Sequence, residues 1–494
     1  MLFTIINGPN IEKALELLDQ AIGRVDGIEI RLDSFLNIKP IQFEPLLKKA
    51  NEAHLKVLFA LRPKRQGGGF ESGEKERLDL IELFCDLDPD YVDLEHDVSS
   101  DFRQILSLKH PKIQFFSSYH NFEETPKDLK SVLDSIHSEY AHIYKIATFA
   151  RSSLDALRMI KFVNEQKAHH TLIGISMGEE GSITRILAPV FGNYLSFAMI
   201  NPEEQTAPGQ FEIKELLDIY HYSSLNMHTR FFGVIGSPLN KSVGKHIHNA
   251  VFSQMKINGC YVTMPIKVEE LSSFFSLIKD LPFSGLSVTM PLKELVVSYL
   301  DEVTPSAQVI GAVNTIAIKD GKMIGYNTDG IGALEAIEKY VPIKGQRIVV
   351  VGAGGSAKAI ICEAIARGAR VSILNRTESK ALQLAKTFGC QGGGMDLLPK
   401  VFREGYDILI NCTPTGESID PRWLIPGSYV MDIVYNPKET PFLLKAIEKK
   451  CHPIFGIDMY INQAVEQQVI WQGSDKRAQI RKIIASNLLK RGLS

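Results

Sequence analysis

The chain has 494 residues, enough for two or three domains with full cores. Its 55 Lys plus Arg balance 57 Asp plus Glu, which removes the basic surplus that nucleic acid selects, and its six cysteines fall in no C-x-x-C or metal-ligand spacing, as expected of free thiols in a reducing cytosol. The opening MLFTIINGPN reads as a first strand rather than a signal peptide, and the longest weakly polar run, 187–200, is too short and too Gly/Asn-broken to span a membrane. A soluble, cytoplasmic protein acting on small molecules is expected, with neither nucleic acid nor membrane as partner; the oligomeric state is not legible.

From Leu2 to about Tyr220, eight apolar, β-rich segments (2–7, 27–33, 56–62, 91–97, 113–121, 142–150, 170–178 and 195–200) alternate with helix-like stretches. Eight such units in this length predict a closed (β/α)8 barrel, whose active site lies where the strands end. Ionisable residues gather at those ends: Glu29, Arg31, Arg62, Asp93, Glu95, His120 and Lys145. Lys145 interrupts HIYKIATFA on the parity of Ile143, Ala147 and Phe149. If that face is the inner one, the amine is desolvated and suited to imine formation. His120 ends the neighbouring strand, where it becomes a candidate general acid and base.

The motifs EIRLD, ALRPKRQGG, SYHNF, YKIA, GISMGEEGSITR and TAPGQ resemble those of type I 3-dehydroquinate dehydratase over essentially the whole of 2–220. The resemblance implies a Schiff base on Lys145 and proton transfer by His120. It also implies that Glu29, Arg31, Arg62 and Arg185 bind the substrate's hydroxyls and carboxylate, with Thr206 and Gln210 on a lid loop. Four residues after Arg62 the family usually has a glutamate that orients the histidine. This chain has Gln66, an amide able to hydrogen-bond the imidazole but not to favour its cation, so a His120 pKa below that of glutamate-bearing relatives is expected.

The polar stretch 221–229, HYSSLNMHT, lacks periodicity and marks a boundary. The expected domains are 1–222, 230–330 completed by a C-terminal helix 459–494, and 331–458. Residues 286–290 alternate as a buried strand, and Lys293 follows Pro291 just beyond. After a hairpin around 319–322, Asp329 in YNTDG is placed to pair with that lysine as a proton relay beside a reacting hydroxyl. Strand 347–351 then runs into Gly352, Gly354 and Ala357, a G-x-G-x-x-A turn opening a helix at Lys358, where a pyrophosphate sits at the helix N-terminus. The next strand, 370–374, ends in Asn375, Arg376 and Thr377 in place of the acidic residue that selects NAD, so NADP(H) is the expected cofactor, with no metal.

From Phe231 almost to the C-terminus the motifs GVIGSPLNKS, VTMPLKE, GAVNT, NTDG, NCTPTG and MDIVYNPKETP, with the 459–463 stretch, resemble shikimate dehydrogenase. The resemblance implies a Lys293/Asp329 catalytic dyad, with Ser242, Ser287, Thr289, Asn314, Tyr435 and Gln463 around shikimate. The NADP(H) site would draw on Gly352, Ala353, Gly354, Gly355 and Ser356, on Asn375, Arg376, Thr377 and Lys380, and on Thr413, Ile433 and Gly456. Two departures stand out. Ser287 replaces an asparagine common in relatives, and Gly244 replaces the second of two serines that grip the carboxylate, a loss of about 1.5–3 kcal/mol of hydrogen bonding.

Together the two resemblances imply an α/β chain: an N-terminal TIM barrel, then a shikimate-dehydrogenase-like substrate domain and a Rossmann domain. The implied reactions are consecutive, dehydration of 3-dehydroquinate followed by NADPH-dependent reduction of 3-dehydroshikimate, in aromatic amino acid and chorismate biosynthesis. A quinate-oxidising second half, or a metabolite-sensing regulator on the same domains, is the alternative.

Overall fold

The computed structural model describes residues 1–240, 242–415 and 419–492, so Lys241 of GVIGSPLNKS and Gly416 of NCTPTG lie outside the described residues. The chain divides into two compact units, the first Met1–Thr229 with Met264–Ile266 and Ser276–Leu281, the second the remainder.

In the first unit, strands Leu2–Ile6 (β1), Gly27–Arg31 (β2), Lys56–Ala60 (β3), Tyr91–Glu95 (β4), Gln114–Asn121 (β5), Ile143–Phe149 (β6), Leu172–Met177 (β7) and Ser196–Ala198 (β8) form one sheet in the order β7-β6-β5-β4-β3-β2-β1-β8. Every neighbouring pair runs parallel. Side chains alternate across a strand, so one parity of each strand faces inward. That parity carries Phe3, Ile5, Leu58, Tyr91, Phe116, Ile143, Ala147, Ile173, Ile175 and Phe197, packed as one core. Edge-to-face rings such as Tyr91 on Phe116, with centroids 5.6 Å apart, fill the barrel instead of leaving a pore.

The barrel is nearly closed rather than fully closed as expected. Among the described residues no ladder joins β7 to β8; the Asn193 side chain bridges the seam, accepting from Gly174 N at 2.6 Å and donating to Gly174 O at 3.1 Å. β8 has only three residues, and next to the Asn193 amide one backbone bond, Tyr194 N to Leu172 O at 2.9 Å, crosses to β7.

The second unit holds two sheets. Strands Arg230–Gly236 (β9), Gly259–Pro265 (β10), Phe283–Val288 (β11), Glu302–Val303 (β12), Thr315–Lys319 (β13) and Lys322–Tyr326 (β14) take the order β10-β9-β11-β13-β14-β12. Asp320 and Gly321 turn β13 into β14 with φ of 51° and 77°, the left-handed pair a two-residue hairpin prefers. Strands Arg347–Val351 (β15), Arg370–Leu374 (β16), Gln391–Gly393 (β17), Ile408–Asn411 (β18), Tyr429–Asp432 (β19) and His452–Phe455 (β20) form an all-parallel sheet in the order β17-β16-β15-β18-β19-β20. This is the doubly wound dinucleotide-binding order, with its switch point between β15 and β18.

The helix after β15 spans Gly355–Ala366 and begins three residues before the expected Lys358, because Gly354 is the extended N-cap. Helix Asp329–Glu338 links the two sheets through close approaches: a Cβ at Gly330 would stand 2.4 Å from Ala359 O, and one at Gly332 2.9 Å from Gln463 N. Only glycine permits that packing, and it brings the first residue of the helix, Asp329, up to Lys293. The long helix Gly456–Gln472 starts earlier than the expected 459, and its Ile457, Ala464 and Val465 share a core with Ile247, Val251, Ile480 and Ile484.

Candidate active sites

The first site is the mouth of the barrel. Glu29, Arg31, Arg62, His120, Lys145, Arg185, Thr206 and Gln210 line one pocket, so all eight residues expected there are together. Lys145 is buried on the inward face as its parity predicted, over the Phe197 ring at 4.7 Å. It is not a bare amine, however. Asp93, two residues before the position level with Lys145 across β5, accepts from Lys145 Nζ at 3.0 Å and from Arg62 Nη2 at 2.7 Å, and Glu29 lies 3.8 Å from the same amine. The sequence placed Asp93 among the strand-end acids but assigned it no role; its signal was its parity with Tyr91 on β4. Burial would push the Asp93 carboxyl up, but Lys145 first and then Arg62 hold it far below the usual carboxylate range. The other acid at that strand end, Glu95, is taken up by buried Arg77 at 2.6 Å.

The His120 ring is also held otherwise than expected. Gln66 Oε1 is buried without a partner, and it is Arg62 Nη1 that reaches the imidazole, 2.9 Å from Nδ1 and close to Nε2. A guanidinium is donor-only, so the ring nitrogen facing it must be an unprotonated acceptor. Burial, followed by Arg62 and Lys145, lowers the His120 pKa well below its ordinary value, which keeps the ring neutral. Phe122 stacks on it at 6.2 Å. Asp33, also unassigned from sequence, binds Arg31 through both oxygens at 3.0 and 2.8 Å and accepts from Gly69 N at 2.8 Å, which fixes Arg31 against the following loop.

Arg185 differs from its neighbours. It is buried, its Nε has no partner, and burial alone lowers its pKa to about 10. A buried cation in that state calls for an anionic ligand. Above the pocket, Gln210 Oε1 accepts from Thr206 N at 2.9 Å and Ala207 N at 3.2 Å, so the loop is cross-tied by one of its own side chains. Gly209, with φ of 76°, packs where a Cβ would stand 2.1 Å from Gly178 O.

The second site is a cavity of ≈ 260 Å³ between the two sheets of the second unit. Lys293 and Asp329 form a close ion pair there. Asn314 donates to Asp329 Oδ1 at 2.6 Å and to Thr328 Oγ1 at 2.9 Å, while Asn327 accepts from Asp329 N at 3.0 Å. Burial would raise the Asp329 pKa, but Lys293, Ser356 and Asn314 overcome it and hold the carboxyl below its ordinary value. Ser356, in the first turn of the helix after the glycine turn, donates to Asp329 Oδ2 at 2.9 Å and accepts from Lys293 at 3.2 Å. Ser242, Ser287, Thr289, Tyr435 and Gln463 line the same cavity, as do Ile433 and Gly456. Tyr261, His248 and Gln467 line it too and were not foreseen. Gln467 accepts from Ser287 at 3.2 Å and donates to Thr315 Oγ1 at 3.0 Å, a tie across 152 residues with no local signature.

Gly352, Ala353, Asn375, Arg376, Thr377, Lys380 and Thr413 lie outside that cavity, after the C-terminal ends of β15, β16 and β18. Their geometry fits a dinucleotide. Gly352 takes φ of 126° beside Cys412; a Cβ at Gly354 would meet nothing within 4 Å, and no side chain caps helix Gly355–Ala366. Free N–H groups behind open space form an anion cradle. Asn375 is tied to Thr377 O at 2.9 Å, leaving Arg376 and Lys380 exposed beside it. Asn411 accepts from Thr413 Oγ1 at 2.6 Å and donates to Asp432 at 3.0 Å, which ties the loops after β18 and β19 together. No described helix is long and apolar enough to cross a membrane, and among the described residues no group of three or more His, Cys, Asp or Glu is placed to hold a metal.

Three family models match: type I 3-dehydroquinase over residues 2–227, the shikimate dehydrogenase substrate binding domain over 234–316, and shikimate/quinate 5-dehydrogenase over 335–432. The chain is 37% identical over 475 residues to the chloroplastic bifunctional 3-dehydroquinate dehydratase/shikimate dehydrogenase of Arabidopsis thaliana, covering 91% of this chain and 78% of that one. It is 32% identical to the shikimate biosynthesis protein AroDE of Chlamydia pneumoniae, over 95% of each. A crystal structure of a shikimate dehydrogenase in complex with NADP+ matches 53% of this chain and 96% of its own, at 37% identity and a TM-score of 0.50.

Proposed function

The chain belongs to the bifunctional 3-dehydroquinate dehydratase/shikimate dehydrogenase family, and from that premise we propose which residues perform its two reactions. It is a shikimate-pathway enzyme, a lyase in its barrel half and an NADP-dependent oxidoreductase in the other. The proposed domains are 1–222 for the barrel, 230–330 with the terminal helix for the substrate domain, and 331–458 for the NADP domain. One observation carries the assignment of residues: each half holds a pocket in which a lysine amine is paired with a buried carboxylate, Lys145 with Asp93 and Lys293 with Asp329.

In the barrel, Lys145 Nζ adds to the ring ketone of 3-dehydroquinate and water leaves, giving an iminium. Neutral His120 takes a proton from the adjacent carbon, and the freed electron pair moves into the iminium. The hydroxyl one carbon further on then departs, protonated by His120, and hydrolysis releases 3-dehydroshikimate and the amine. Arg185 holds the substrate carboxylate, which supplies the charge its buried guanidinium lacks. Glu29, Arg31 and Arg62 meet the ring hydroxyls, and the Thr206–Gln210 loop closes the site.

In the second half, Gly352, Ala353, Gly354 and Gly355 hold the cofactor pyrophosphate, with Thr413, Ile433 and Gly456 along its path. Asn375, Arg376, Thr377 and Lys380 hold the 2′-phosphate of NADP(H). Bound NADPH supplies the hydride. Lys293 gives a proton to the substrate's carbonyl oxygen as it becomes a hydroxyl, and Asp329, held by Asn314 and Ser356, keeps the amine in place. Ser242, Ser287, Thr289, Tyr435 and Gln463 orient the ring.

The test replaces the lysines one at a time by methionine. Lys145→Met should abolish dehydration and borohydride trapping by 3-dehydroquinate but leave NADPH-dependent reduction of 3-dehydroshikimate; Lys293→Met should do the reverse. Survival of both turnovers in both folded variants would overturn the assignment.

A further inference from the structure

Beside Ser242, the cavity of the dehydrogenase half is lined by a second hydroxyl, that of Tyr261 on β10. Gly244 begins helix Gly244–Gln254, at the position where the family's loop carries its second serine. A Cβ placed on Gly244 would stand 3.1 Å from the Tyr261 hydroxyl, 3.0 Å from Tyr261 Cε1 and 3.4 Å from Ser242 Oγ. Real side chains rarely pack so tightly, so a serine at 244 would need the phenol to give way by a few tenths of an ångström. Ser242 flanks the same point, and all three residues line the cavity that holds Lys293 and Asp329.

The phenol is held firmly. Asn249, on the helix that Gly244 opens, clamps the Tyr261 backbone from both sides, accepting from its N–H at 2.8 Å and donating to its carbonyl at 2.9 Å. The His248 ring lies over Tyr261 with centroids 4.4 Å apart, and Trp471 lies 6.1 Å away. A serine hydroxyl rotates about χ1, whereas a phenol oxygen at the end of a packed ring has one position. Burial pushes the Tyr261 pKa far up, so the oxygen keeps its proton and remains a donor throughout the neutral range.

We propose that the Tyr261 hydroxyl, paired with Ser242, hydrogen-bonds the substrate carboxylate in place of the missing serine. The inference rests on the dehydrogenase reading of this cavity. It makes Tyr261 a specificity determinant: the acid, and not a neutral analogue of it, should depend on the phenol.

The experiment is steady-state kinetics of Tyr261→Phe in the full-length protein, with shikimate and shikimate methyl ester as NADP-dependent substrates. The variant deletes one oxygen and keeps the ring that packs on His248. KM for shikimate should rise about tenfold or more, the loss expected of a hydrogen bond to a charged group. KM for the ester should change far less, and KM for NADP should not change, which also reports an intact fold. An unchanged KM for shikimate, or an equal rise for acid and ester, overturns the inference while leaving the dehydrogenase reading in place. Absence of NADP-dependent turnover in the unmutated protein would sink that reading instead.

Discussion

Arg185 offers the sharpest test of the barrel site, because among the described residues no carboxylate offsets the burial of its charge. The guanidinium is 2% exposed, its Nε is unbonded, and burial lowers its pKa from the ordinary guanidinium value to about 10. A drop of that order, at about 1.36 kcal/mol for each pH unit, corresponds to ~3 kcal/mol of instability in the ligand-free fold. The sign follows from a cation whose folded pKa lies below its unfolded one. The cost is full below pH about 10 and fades as pH rises from there towards the ordinary guanidinium value. Arg185→Met removes the charge and keeps most of the volume, so the ligand-free barrel should gain about 1–3 kcal/mol. The two tryptophans, Trp423 and Trp471, both lie outside the barrel, so the gain is best read as hydrogen-exchange protection of β1 to β7 peptides. The same change should raise KM for 3-dehydroquinate about a hundredfold, since truncating one partner of a desolvated charge pair costs ~2–5 kcal/mol. Reduction of 3-dehydroshikimate should be untouched. A variant that loses more than about 1 kcal/mol of protection and keeps its KM within about twofold would refute the reasoning, for the cation would then be satisfied inside the fold.

Three further outcomes are expected. His120, with its pKa lowered by burial and by Arg62 and Lys145, should act as a neutral base across the ordinary histidine range, so dehydratase kcat/KM should stay level as pH falls through 6.5 and drop only below it. By linkage, barrel stability is full above that unfolded value and declines as pH falls below it, and an NMR midpoint for His120 at or above 6.5 would contradict both statements. Asp93→Asn strips the shared anion from Lys145 and Arg62 and should destabilise the barrel by about 3–5 kcal/mol, read by the same exchange measurement; near-neutral protection would mean that Glu29 suffices for both cations. Arg376→Ala should raise KM for NADPH about tenfold or more and leave KM for NADH unchanged, so equal effects on both cofactors would remove Arg376 from the 2′-phosphate site.

Much of this molecule is written in short stretches of chain. Alternation in HIYKIATFA put Lys145 on the inner face, Asp320–Gly321 marked the hairpin, and the glycines from 352 to 355 marked the turn after β15, because strand parity and left-handed φ act over a few residues. What the tertiary structure alone decided joins distant positions. Asp93 meets Lys145 across 52 residues, Ser356 meets Lys293 across 63, Arg62 rather than Gln66 takes the His120 ring, Tyr261 occupies the space before Gly244, and Asn193 bridges the barrel seam. The physical reason is one of range. Backbone preference and side-chain periodicity set which face a residue presents, whereas the partner it finds there depends on how whole strands and helices stack, and no local pattern carries that information.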